Sequence, residues 1–250
     1  MARSKTSSLS SSKLKDILNV YRICFEAAVK AERKPSVTGL SQHPSNERVW
    51  RIYQDCTTSW DVPDGASEAF VEAYKKWSLC DNFCVMVYDA LKEHLKTTPE
   101  YNADVYWRII SPNPVFSFLC GDEELRQYSH SVVVVETKEG KTFIFDCTGE
   151  QFGWNGSEWL MELEEFSERM DEDELPDRQG SLGFTRRVIS KQPDGYWPRI
   201  FTTFSQMFKA FNWEGLPLED PALALRAISS TAAERAEAAA LESRGPSPQK

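Results

Sequence analysis

The sequence predicts an α+β protein in which N-terminal helices pack against an antiparallel β-sheet. Apolar residues recur every three to four positions up to about residue 95, the period of an amphipathic helix. From residue 105 the apolar positions instead form short runs of strand length, broken by Pro and Gly. These runs follow one another through short turns with no helix between them, which favours antiparallel neighbours over a βαβ arrangement.

The first helix is expected over 13–34, where Leu14, Ile17, Leu18, Tyr21, Cys24, Phe25 and Ala28 fall on one face and Pro35 supplies a stop. A polar loop containing Pro44 leads to a second helix expected over 46–56, with Val49, Ile52 and Tyr53 on one side. The run Asp61-Val62-Pro63-Asp64-Gly65 is a turn signal, followed by a third helix over 66–77. Ser78 is the expected N-cap of a fourth helix, 79–95, with Asp81 three residues on as an acidic capping-box partner. Its inward stripe is Leu79, Phe83, Met86, Val87, Ala90 and Leu91, which leaves Cys80 and Cys84 on the flank.

Extended segments then follow at 105–110 and 115–120, separated by Pro112-Asn113-Pro114, and the clearest hairpin lies at 129–137 and 141–147. Beyond it, a helix is expected over 159–170, an acidic loop over 171–180, a strand over 182–189, and a last packed helix over 197–211 opened by Pro198. Residues 1–12 are Ser-rich and read as a disordered leader, 13–213 as one α+β domain, and 214–250 as a peripheral tail rich in Ala and Glu.

The hairpin turn decides whether His130 and Asp146 share a face. A two-residue Glu139-Gly140 turn puts them on opposite faces of the sheet. A three-residue Lys138-Glu139-Gly140 loop, with Gly140 left-handed, pairs Thr137 with Lys141 and makes His130 a diagonal same-face neighbour of Asp146. The other face, with Ser131, Val133, Val135, Phe143, Phe145 and Cys147, is expected to meet the core, and Asp146 to look toward the helix that carries Cys80.

Composition narrows the function. A 41% hydrophobic, 12% aromatic chain of 250 residues can bury a substantial core. The net charge of −9 and pI near 5.0 argue against nucleic acid as a partner, because phosphate binding depends on clustered Lys and Arg. No segment reads as a signal peptide or membrane span, so a cytoplasmic protein without membrane contact is expected. Six cysteines at irregular spacing do not make a disulfide framework and are read as thiols.

Three residues carry the candidate chemistry. Cys80 lies in the first turn of a helix, where unpaired N–H groups and the macrodipole favour a thiolate; His130 opens a strand; Asp146 closes the next. Nucleophile, base and orienting carboxylate have these identities in thiol catalysis. Each also has a plainer reading. Cys80 can be a small apolar residue at the edge of a core, His130 a structural strand-start residue, and Asp146 an Asx turn with Thr148 and Gly149. His43 and His94 are expected in solvated positions. A zinc site from Cys80, Cys84, His130 and Cys147 lacks compact Cys-x-x-Cys loops, so no metal is expected. No Gly-rich phosphate loop occurs, so no cofactor is expected.

The segment Cys80-Asp81-Asn82-Phe83-Cys84 through Leu91, the strand His130-Ser131-Val132-Val133-Val134-Val135, and Asp146-Cys147-Thr148 resemble the transglutaminase-like branch of the papain-like cysteine enzymes. The resemblance covers about residues 60–155. The chain departs from it at Leu79, where that family has Gly, and at Ser131 and Val132, where an aromatic residue follows the His. The resemblance implies a papain-like core, a Cys80-His130-Asp146 triad, and acyl transfer or amide hydrolysis on a protein, a peptide or a small amide or amine. The Cys80 N–H is then one oxyanion donor, and Trp60 and Trp77 are candidates for a second. Members that keep the fold without turnover imply an alternative, a protein-binding or scaffold module. Aromatic segments such as Phe152-Gly153-Trp154 and Tyr196-Trp197 suit a recognition groove.

Overall fold

The structure is a computed structural model that describes residues 11–59, 65–97, 103–125, 127–172, 174–177, 179, 195–213 and 221–243. Helix α1 (Ser11–Ala31) is followed by strands β1 (Pro35–His43) and β2 (Asn46–Ser59), then helices α2 (Glu68–Lys76) and α3 (Cys80–Thr97). Strands β3 (Asp104–Ile110), β4 (Ser117–Cys120), β5 (His130–Glu136), β6 (Thr142–Phe145) and β7 (Leu160–Glu162) come next. The short helix α4 (Leu163–Phe166) and the longer helices α5 (Tyr196–Ala210) and α6 (Pro221–Glu242) complete the order. The protein is therefore mixed α and β, with helices around two small sheets.

The four-stranded sheet has the order β3-β5-β6-β7 and is antiparallel throughout. Strand β5 is its centre, buried from His130 through Val135, as a strand covered on both faces must be. Against one face lie α1 and α3, with α5 and α6 behind them. Phe25, Phe83 and Phe145 form a chain of edge-to-face contacts at 5.1 and 4.9 Å through this core. The predicted stripe of α1 is buried along its whole length, each fully buried Leu, Ile or Phe contributing about 1.5–3 kcal/mol relative to exposure. Against the other face pack Phe152, Trp154, Phe166 and Met170.

The second sheet, β1-β2-β4, pairs β1 with β2 antiparallel and β2 with β4 parallel. Residues 46–56 are thus strand, and the expected second helix is corrected. Val49, Ile52 and Tyr53 have helical spacing only because β2 buries Val49 on one face and Ile52 on the other, while Tyr53 is exposed. The expected helix over 159–170 is also corrected: 160–162 extend along β6, pairing Met161 with Ile144, and only short helical turns follow. Residues 221–242 of the segment expected to be peripheral form α6, and that expectation is corrected: Ile228, Ala232, Ala236 and Ala239 enter the main core and the helix packs with α1. The strand expected over 182–189, the leader up to residue 10, and Trp60 lie outside the described residues.

Candidate functional site

The β5-β6 turn fixes the first half of the site. Gly140 has φ +78°, its N–H donates to the Thr137 carbonyl at 3.0 Å, and Thr137 N–H donates to Lys141 O at 2.9 Å. This is the three-residue loop, and it pairs Val133 with Phe145 and Val135 with Phe143. The register carries Asp146 opposite Val132 and diagonal to His130. The two side chains meet, His130 Nε2 standing 2.8 Å from Asp146 Oδ2.

Asp146 also closes the turn that follows it. Its Oδ1 accepts from Thr148 N–H at 2.8 Å and from Thr148 Oγ1 at 2.9 Å, so the Asx turn and the His130 contact coexist on one carboxylate. Both groups are buried, the imidazole completely. Phe152 and Trp154 pack edge-on against the ring, with centroids at 4.9 and 5.6 Å. Gly149 lets this shell close: a Cβ there would stand 3.1 Å from Asp146 Oδ2 and 2.9 Å from Trp154 Cε3. Sequence reasoning missed Phe152 and Trp154 as His130 neighbours, because nothing local links them to β5.

Charge follows from this packing. Burial alone drives the His130 ring toward neutrality, but the Asp146 carboxylate overrides it by charge and hydrogen bond. The Cys80 thiol adds to the same effect, and the ring is raised to about 10. Burial likewise opposes ionisation of Asp146, yet His130 and the Thr148 bonds hold its carboxyl below the usual carboxylate range.

Cys80 is the first residue of α3 and is partly exposed. The helix body covers the Ser131, Val133 and Val135 face of the sheet, opposite to the His130 and Asp146 face. The expectation that Asp146 looks toward that helix is therefore corrected: only the first turn of α3 reaches the imidazole, at the start of β5. With Nε2 committed to Asp146, Nδ1 is the nitrogen left for the thiol. Buried Nδ1 makes no hydrogen bond of ordinary geometry.

The cap of α3 also differs from expectation. Ser78 has φ +61°, a left-handed conformation that costs a non-glycine residue about 1–2 kcal/mol, and it caps nothing. The first helical bond is accepted by Leu79 O from Phe83 N–H at 2.9 Å, and Ser78 N–H donates instead to Gln151 Oε1 at 3.2 Å. Asp81 is no capping-box partner either; its Oδ1 accepts from Ser131 Oγ at 2.5 Å.

Cys84 and Cys147 are fully enclosed, and burial pushes both thiols well above the ordinary range. His94 is not solvated: it is buried with its ring 4.1 Å from that of Trp213, and burial lowers it to about 4. His43 ends β1, partly exposed, with its Nδ1 3.1 Å from Ser45 Oγ. Trp77 is held in a cluster with Tyr74 and Phe118. Among the described residues no group of three or more His, Cys, Asp or Glu is placed to hold a metal. No helix among them is long and apolar enough to cross a membrane. A cavity of about 710 Å³ between α1, α2 and α6 is lined by residues including Glu32, Lys34 and Glu237, and by none of Cys80, His130 and Asp146.

Comparison with known proteins finds no matching family model, no matching curated protein and no matching solved structure.

Proposed function

We propose that this chain is a cysteine-dependent acyltransferase or amide hydrolase of the transglutaminase-like, papain-like kind, with Cys80 as nucleophile, His130 as base and Asp146 as orienting carboxylate. The observation that carries the reading is the buried 2.8 Å contact between His130 Nε2 and Asp146 Oδ2 beside the helix-initiating Cys80. An ionised Asp146 keeps one proton on Nε2, and a ring raised to about 10 carries a second on Nδ1 through neutral pH, the proton of the Cys80 thiol.

In the reaction, with that proton held on Nδ1, the Cys80 sulfur attacks an amide or ester carbonyl, forming a C–S bond. The Cys80 backbone N–H, at the helix start without an intrahelical partner, is placed to donate to the developing oxyanion. His130 returns the proton to the departing amine or alcohol as the C–N or C–O bond breaks. Water or an incoming amine then gives a proton to His130 and attacks the thioester, releasing Cys80. Proteins, peptides and small amides or amines all satisfy this chemistry.

The test is incubation with a thiol-directed acylating probe, read by intact and peptide mass. One acyl group on Cys80 is expected, absent in C80A. Labelling that persists in C80A, or falls wholly on Cys84, overturns the assignment. An unlabelled wild-type chain favours the alternative of a binding or scaffold module.

A further inference from the structure

The residue after Cys80 is bonded to the residue after His130. Ser131 Oγ donates to Asp81 Oδ1 at 2.5 Å, with Ser131 buried on the face of β5 that α3 covers and Asp81 exposed on the helix's first turn. Successive strand residues point to opposite faces, so Ser131 and His130 diverge; successive helix residues are about 100° apart, so Asp81 and Cys80 diverge too. The end of α3 therefore meets the first residues of β5, Asp81 bonded on one side while Cys80, the residue before it, bears on the His130 ring from the other.

Further along, Phe83 and Val87 of this helix share an apolar core cluster with Val105, Val133, Val135 and Phe145 of the sheet, Phe83 packing edge-on against Phe145. Such contact is non-directional and does not by itself fix where the helix end stops. The turn before Cys80 is tied from the other side through Ser78 N–H and Gln151 Oε1. We infer that the Asp81–Ser131 hydrogen bond is a latch that positions the Cys80 thiol against the His130 ring. This rests on the reading of Cys80 and His130 as nucleophile and base; Asp81 and Ser131 are positioning residues and touch no reacting atom.

The test is the rate of Cys80 alkylation by iodoacetamide against pH, located by peptide mass, in the full chain and its D81A, S131A, S131T and H130A variants, with circular dichroism to verify the fold. Other groups bearing on this region are Cys84 from α3, Asp146 and Cys147 from the end of β6, and Lys76, Glu26 and Glu150 beside Cys147; all stay constant across the series. Loss of the latch is expected to slow Cys80 alkylation at neutral pH by about tenfold or more, the scale of an ångström-level misplacement, and to move the profile toward that of H130A. S131T keeps the hydroxyl and is expected to restore the wild-type profile. Charge alone predicts the opposite sign for D81A, because removing an anion beside a thiol speeds alkylation. If D81A and S131A match or exceed wild type while H130A is displaced, the latch is overturned and the triad stands. If H130A also matches wild type, both fall. Asp81 is exposed, so D81A keeps the test valid should S131A fail to fold.

Discussion

His130 Nε2 and Asp146 Oδ2 lie 2.8 Å apart inside the protein, in a contact that joins the start of β5 to the end of β6. The contact links stability to pH from two sides. Asp146 is depressed in the folded state, so its contribution is present above about pH 4 and is lost as pH falls through the folded value. His130 is raised, so its contribution is complete below about pH 6.5 and is lost as pH rises through about 10. Urea midpoints are expected to peak between these limits. D146N is expected to lose about 3–5 kcal/mol near pH 6 and to flatten both slopes; a variant with the wild-type slopes contradicts the pairing.

Gly149 is the position where the shell around this pair tolerates no side chain. In G149A the new methyl meets Trp154 and the Asp146 carboxylate, and overpacking of this kind costs about 1–3 kcal/mol. A lowered melting temperature is expected, together with a changed His130 ring-proton shift as the aromatic neighbours move. An unchanged shift contradicts the described shell.

Lys76 is buried between two carboxylates, with Nζ 2.6 Å from Glu26 Oε1 and 2.6 Å from Glu150 Oε1. Burial opposes its charge, but the two carboxylates hold the ammonium above its ordinary range. K76A leaves half-buried Glu150 without its cation and is expected to cost about 1–3 kcal/mol in denaturant unfolding, part of it recovered in K76A/E150Q. Equal losses in the single and double variants contradict this.

Helix α6 is core along its Ala stripe. A232R places a charged side chain where none of the surface is exposed and is expected to cost at least about 2 kcal/mol, while S229R on the exposed face changes stability by about 0.5 kcal/mol or less. Equal melting temperatures for the two contradict the packing.

The sequence was most informative where a local geometric rule decides the outcome. Gly140 selects the three-residue turn, and the turn alone brings His130 beside Asp146. The stripes of α1 and α3 were legible for the same reason. Strand β2 was not, because its pairing with β4 joins Val49 to Ser117 across a long stretch of chain, and burial on both of its faces mimics a helical period. Nor was the aim of α3. Ser78 is left-handed with its N–H bonded to Gln151, and Asp81 bonds to Ser131, both partners distant in the chain. These tertiary contacts on either side of Cys80 lie in no single window of sequence.

The most direct test of the central claim is the NMR titration of the His130 ring in wild type and C80A. The thiol adds to the forces that keep the imidazole protonated, so C80A is expected to titrate at lower pH while the Asp146 contact is retained. Superimposed titration curves would place the sulfur out of reach of the ring and contradict the account.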